Sequence, residues 1–141
     1  MLKKLLGIVV LGLFLTSNAY AKGISGKQLE CKNGSYYIAS PVYFVFLPKY
    51  KVKKMYVSKG TLKVVEYVYD YKPLPKTIEI YARSGTLKWM IIINRETLKR
   101  SDTLPTSNEH TQCKIVTFSA KEKLDTISNQ LLNEQSKKNK I

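Results

Sequence analysis

The sequence predicts a mainly β domain, a small antiparallel sandwich or barrel-like meander, with a C-terminal amphipathic helix. Three observations carry this expectation. Turn signals recur about every 8 to 12 residues along the body of the chain. The stretches between them are filled with β-branched and aromatic residues, which suit a pleated, half-buried surface. The apolar period changes from two to a helical spacing only after Phe118.

Residues 1–21 stand apart from that body. Lys3 and Lys4 precede an apolar run from Leu5 to Leu15, then Thr16, Ser17, Asn18 and the small-residue triplet Ala19-Tyr20-Ala21. Basic, apolar, small-x-small is the plan of a secretory signal peptide, with cleavage expected after Ala21. The run of about 11 residues is short of the roughly 20 that a spanning helix requires. No membrane span is expected after cleavage. Glu30 in front of Cys31 does not suit a lipoprotein signal.

Residues 22–118 read as one β-domain. A first strand, residues 28–32, carries Cys31. Asn33-Gly34, the strongest hairpin dipeptide in the chain, is expected to fold it onto residues 35–39. Pro41 interrupts, and 42–47 resumes as an apolar, aromatic strand ended by Pro48. Residues 50–57 form the next strand, followed by the turn Ser58-Lys59-Gly60. Residues 61–69 alternate, with Leu62, Val64, Glu66 and Val68 on one face and Lys63, Val65, Tyr67 and Tyr69 on the other. Pro73 and Pro75 make 70–76 a loop. Residues 77–82 place Ile78 and Ile80 on one side. A turn at Arg83-Ser84-Gly85-Thr86 leads to 87–93, where Leu87, Trp89, Ile91 and Ile93 align. Asn94-Arg95-Glu96 turns the chain into 97–100. Residues 101–110 are polar and contain Pro105. Residues 111–118 form the last strand, carrying Cys113.

Ser119 with Glu122 fits a capping box, so a helix is expected over 119–135. Leu124, Ile127, Leu131 and Leu132 form its apolar stripe. Residues 136–141 lack an apolar partner and are expected to be a disordered tail.

Export puts Cys31 and Cys113 in an oxidising compartment, periplasmic or extracellular, where one disulfide between them is expected. On the first and last strands, it either staples those strands or ties two sheets. Two cysteines and one histidine, His110, cannot close a zinc site without carboxylates. No metal or cofactor is expected.

The chain has 24 basic and 10 acidic residues, a formal charge of +14. Without Lys3 and Lys4 the balance is +12. Such a charge favours polyanions. The densest patch is Lys49, Lys51, Lys53, Lys54, Lys59 and Lys63, interleaved with Tyr50 and Tyr56. Strand alternation aims 49, 51 and 53 the same way. Lysines with tyrosines make this the candidate face for an acidic glycan, lipopolysaccharide or nucleic acid. The competing reading is a lysine edge that discourages strand-to-strand aggregation. Trp89 is expected in the core rather than at a ligand.

Nothing points to catalysis. Glu66, Asp70, Glu79, Asp102 and Glu109 are scattered, and no nucleophile elbow, zinc helix or phosphate loop occurs. His110 lies near Cys113, but a disulfide removes the thiol as a nucleophile.

The segment Ile91-Ile92-Ile93-Asn94-Arg95-Glu96-Thr97-Leu98 resembles the I-x-R-x-T-L strand–turn–strand of small exported bacterial single-disulfide β-proteins of unassigned function. The resemblance implies a compact disulfide-linked β-domain and assigns no activity. Asn94 suits its tight turn, and Arg95 is a structural brace toward a neighbouring strand. The expected function is therefore a non-enzymatic binding or interaction domain of the envelope, with an envelope polyanion or protein as partner. Export excludes intracellular nucleic acid. A secreted enzyme inhibitor of the lysozyme-inhibitor kind is a further reading, disfavoured because chicken-type lysozymes are themselves basic.

Overall fold

The computed structural model describes residues 24–32, 35–104 and 110–139. The signal segment, the Asn33-Gly34 turn, Pro105 and Glu109 lie outside the described residues. Eight strands are described: β1 Gln28–Cys31, β2 Val42–Leu47, β3 Lys51–Val57, β4 Val64–Pro73, β5 Thr77–Ser84, β6 Leu87–Asn94, β7 Lys99–Asp102 and β8 Thr111–Val116. Each pairs antiparallel with the next, and β8 pairs with β1, so the meander closes into a barrel. One helix, α1, spans Ala120–Lys138 and follows the last strand.

Closure uses the cysteines directly. Cys31 and Cys113 are opposite one another in the β1–β8 register and form the disulfide, 82 residues apart in sequence. The bond therefore links neighbouring strands rather than two sheets. Both cysteines are buried in the barrel core.

Alternation sorts the wall into two faces. Phe44 and Phe46 of β2, Ile78 and Ile80 of β5, and Ile91 and Ile93 of β6 fill the interior. The outer face of the same wall has its own cover where α1 lies. Tyr43, Met55, Val57 and Val116 pack with Ala120 and Leu124. This explains why β2 reads as an unbroken apolar run: it is buried on both sides. Tyr43 also donates from its hydroxyl to Glu30 Oε2 at 2.6 Å. Burial, with this carboxylate beside it, raises the Tyr43 phenol above the usual tyrosine range.

The helix starts as expected, with Ser119 Oγ accepting from the Glu122 N–H at 3.3 Å. Its apolar stripe docks through Leu124, with Ile127 and Leu131 half buried. Ser128, which the apolar pattern passes over, is also buried and donates to the Leu62 carbonyl at 2.6 Å.

Several boundaries differ from the sequence expectation. Residues 35–39 are not the hairpin partner of β1, which pairs with β2 instead, from Gln28↔Val45 to Cys31↔Val42. Tyr36 and Tyr37 are both exposed, so 35–39 has no buried alternate face to hold it in a sheet, and only Ile38 bridges to Ser58. Strand β4 starts at Val64, because Leu62 turns left-handed (φ 58) and its N–H bonds to Ser58 O. It continues to Pro73 through the expected loop, because Tyr71 enters the core opposite Ile80. Pro73 is tolerated at the strand end, where its missing donor matters least. Residues 99–102 form β7, extending strand structure into the segment read as polar loop. The helix runs three residues past position 135, to Lys138. Lys137 and Lys138 complement the negative end of the helix dipole.

No described helix is long and apolar enough to cross a membrane.

Because the disulfide closes a loop of 82 residues across the seam, reduction removes a constraint on the unfolded chain worth on the order of 4 kcal/mol. Urea unfolding with and without reductant checks this. An unchanged midpoint contradicts it.

Candidate functional site

The lysine patch does not assemble as one face. Lys49 and Tyr50 form the turn between β2 and β3, both left-handed at φ 62 and 58. Lys51 and Lys53 point outward from β3, and each has an acidic partner on β4. Lys51 pairs with Asp70, and Lys53 Nζ lies 3.8 Å from Glu66. Lys54 takes the opposite phase, on the barrel side with Val52 and Tyr56, its ammonium 5.6 Å from the Tyr56 ring. Lys59 belongs to the far end of the strand, where it sits over the Tyr36 ring at 4.1 Å. Lys63 is exposed in the turn before β4. The structure thus brings Lys51 and Lys53 together, neutralised, and distributes the rest over both faces and both ends of β3.

A different feature is concave. Strands β4 and β5 pair only from Asp70↔Tyr81 to Pro73↔Ile78. Beyond that point Val64 to Tyr69 keep their β3 partners but lose β5. The β5–β6 hairpin stays paired to its tip, Ser84↔Leu87, while β7 reaches only Ile91, Ile92 and Ile93 of β6. The tip therefore stands away from the barrel as a two-stranded ribbon. Gly85, at φ 60, opens its two-residue turn, a position that favours glycine.

Between the parted strands lies a cleft of about 580 Å³. Tyr69, Ala82 and Trp89, which face the interior, form its floor. Lys51, Val68 and Asp70 stand on one side, and Tyr81, Arg83 and Lys88 on the other. This volume falls in the range of small-molecule sites.

Beside the cleft, aromatic side chains form a row that runs from the exposed Tyr67 to the core. Tyr56 lies 6.3 Å from Tyr67, and Tyr67 is parallel to Tyr69 at 6.0 Å. Tyr69 meets Trp89 edge-on at 6.5 Å. Burial pushes the phenols of Tyr56 and Tyr69 up to about 12, with Tyr67 adding to the rise in both. Trp89 is half buried against the core and also floors the cleft. Its Nε1–H is buried with no acceptor among the described residues.

Deeper in the barrel, Arg100 and Asp102 are two residues apart on β7 and so share a face. Arg100 donates twice to Asp102, Nε to Oδ1 and Nη2 to Oδ2, both at 2.8 Å. Their side chains are only 8% and 7% exposed. The guanidinium also stands 5.3 Å from the Phe44 ring. This pair satisfies a charge that the barrel interior would otherwise hold unpaired.

Among the other residues singled out, Asn94 makes the expected turn, its Oδ1 accepting from the N–H groups of Glu96 and Thr97. Arg95 braces that turn by donating from Nη1 to the Leu74 carbonyl at 2.9 Å. Glu79 accepts from the Tyr81 hydroxyl at 3.0 Å, and the same contact raises the Tyr81 phenol above its ordinary range. His110 is exposed. Among the described residues no three His, Cys, Asp or Glu side chains are grouped to hold a metal.

Sequence reasoning missed the cleft because it depends on where β4 leaves β5. One signal was present. A two-residue turn at Gly85-Thr86 places Arg83 opposite Lys88 and Ala82 opposite Trp89. No family model, curated protein or solved structure matches this chain.

Two outcomes follow from the interior. Tyr56 and Tyr69 titrate near 12 in the fold against the usual 10. The native state holds these protons longer than the unfolded chain, so their contribution to stability is complete below about pH 10 and lost between about pH 10 and 12. Tyr69→Phe is expected to shift alkaline unfolding to higher pH, followed by phenolate absorbance and circular dichroism. Asp102→Ala leaves the Arg100 charge buried and is expected to cost about 3–5 kcal/mol by urea titration. A loss below 1 kcal/mol would place the guanidinium in water instead.

Proposed function

We propose that this chain works outside the cytoplasm as a non-enzymatic binding domain whose ligand occupies the β4–β5 cleft. The cleft itself carries the reading: two strands part over an aromatic floor, and the floor includes Trp89 with a buried indole N–H that finds no acceptor among the described residues. Buried donors are normally satisfied, so an unpaired one beside a cleft calls for an occupant, either a ligand oxygen or an ordered water.

The export reading is supported by the order of Lys3, Lys4, the apolar run and Ala19-Tyr20-Ala21, and by the disulfide, which persists in oxidising surroundings. The resemblance of residues 91–98 to small exported single-disulfide proteins agrees with it. A binding role is favoured over catalysis because the carboxylates singled out in the sequence are, where described, engaged in separate contacts. Glu66, Asp70 and Asp102 are in ion pairs, and Glu79 holds Tyr81. Polyanion capture by the β3 lysines has less support, since Lys51 and Lys53 already have carboxylate partners.

Trp89 is the only tryptophan in the chain, so its emission reports on the cleft alone. The small-molecule fraction of an envelope extract is expected to shift that emission saturably. Val68→Phe, which places bulk at the cleft wall, is expected to abolish the shift while leaving thermal unfolding within a few degrees. An unaltered shift in this variant would move the site elsewhere.

A further inference from the structure

Arg83 and Lys88 are direct cross-strand partners at the outer end of the hairpin ribbon, and both line the cleft. Like charges in directly opposite positions of an antiparallel pair repel. No carboxylate lies within ion-pair distance of either among the described residues, whereas Lys51 and Lys53 are both matched. The repulsion is relieved by an anion that lies between the two cations.

Resting on the cleft as the binding site, we infer that its ligand is a short acidic saccharide, a chain of sugar rings bearing carboxylate or sulfate groups. The two sides of the cleft differ in the way such a ligand requires. The ribbon side offers a guanidinium and an ammonium for the acidic group, and the guanidinium suits the planar fork of an oxyanion. The opposite side offers the Lys51–Asp70 pair, whose carboxylate has acceptor capacity left for sugar hydroxyls.

A nucleic acid strand fits this surface less well. Base binding needs free ring faces. Tyr67 has Tyr56 at 6.3 Å and Tyr69 at 6.0 Å as ring neighbours, and Tyr69 is 7% exposed. Of the rings that line the cleft, Tyr69 is buried and Trp89 half buried, which leaves Tyr81, 42% exposed, as the one well-exposed ring there, too few to stack successive bases. Beside the exposed Val68 and Tyr81, the cleft offers charged groups on both sides: cations on the ribbon, a salt-bridged carboxylate opposite. An apolar ligand would leave Arg83 and Lys88 facing each other unrelieved.

The test is a titration of Trp89 emission on the intact folded protein with three probes: a heparin-derived sulfated tetrasaccharide, tetragalacturonate and neutral maltotetraose. A dT tetranucleotide is run in parallel. Saturable binding of at least one acidic tetrasaccharide is expected, with no response to maltotetraose. The double variant Arg83→Glu, Lys88→Glu is expected to weaken that binding at least tenfold. Lys121→Glu, Lys123→Glu makes the same change of charge on the exposed face of α1, and is expected to leave it within twofold. Equal losses in the two double variants would reduce the effect to overall charge and overturn the inference. So would preference for the dT tetranucleotide, or silence with both acidic saccharides. In the last case the two readings separate: if envelope extract still shifts Trp89 and Val68→Phe abolishes that shift, the cleft stands and only the saccharide assignment fails. If extract also leaves Trp89 unmoved, both fail.

Discussion

Everything in this domain hangs on the seam where β8 returns to β1. A meander of short strands leaves two open edges, and open edges are both unstable and prone to pair with other chains. Here the edges meet each other. Four register pairs join Gln28–Cys31 to residues 113–116, and the Cys31–Cys113 disulfide is one of them. With β1 only four residues long, hydrogen bonding alone offers little purchase at the seam. A covalent link at the crossing point holds the ring closed.

Closure gives the wall an inside and an outside, and each side has its own chemistry. The inside is apolar through Phe44, Phe46 and the isoleucines of β5 and β6. It becomes aromatic and polar where Tyr56, Tyr69, Trp89 and the Arg100–Asp102 pair lie. The outside has an apolar, buried patch under α1, where Tyr43, Met55 and Val57 meet Leu124. The helix is anchored to the barrel by polar contacts as well, Ala120 N–H to Gln28 Oε1 and Ser128 to the Leu62 carbonyl. It thus ties β1 to the turn that begins β4. The wall gives way between β4 and β5, and the candidate site occupies that gap.

The strands with clean alternation were legible from residue order alone. Ile78, Ile80 and Ala82 on β5, and Ile91 and Ile93 on β6, face inward as their spacing demands. The capping of α1 by Ser119 and the Asn94 turn were legible for a local reason: each is a side chain bonding to backbone two or three residues away. The errors have a common origin. Pro73 and Pro75 were read as a loop because proline is a local breaker, yet Tyr71 gains a place in the core that keeps β4 extended. Residues 35–39 looked like the partner of β1 because proximity and a hairpin dipeptide favoured it, and burial of β2 on both faces outweighed that.

The lysine patch shows the same limit for function. Strand alternation placed Lys51 and Lys53 together, and it did so correctly. It could not show that β4 would bring Asp70 and Glu66 beside them, since that pairing is decided by a register between strands. By itself the order of residues determined the disulfide candidates, the β class, the helix start and the charge, because these depend on composition and on neighbours within a few positions. Tertiary structure alone decided that the sheet closes, that β4 leaves β5 beyond Asp70, and that Arg83 and Lys88 border the cleft floored by Trp89. Those features are set by contacts between residues distant in the chain, where core burial and strand register override local preference.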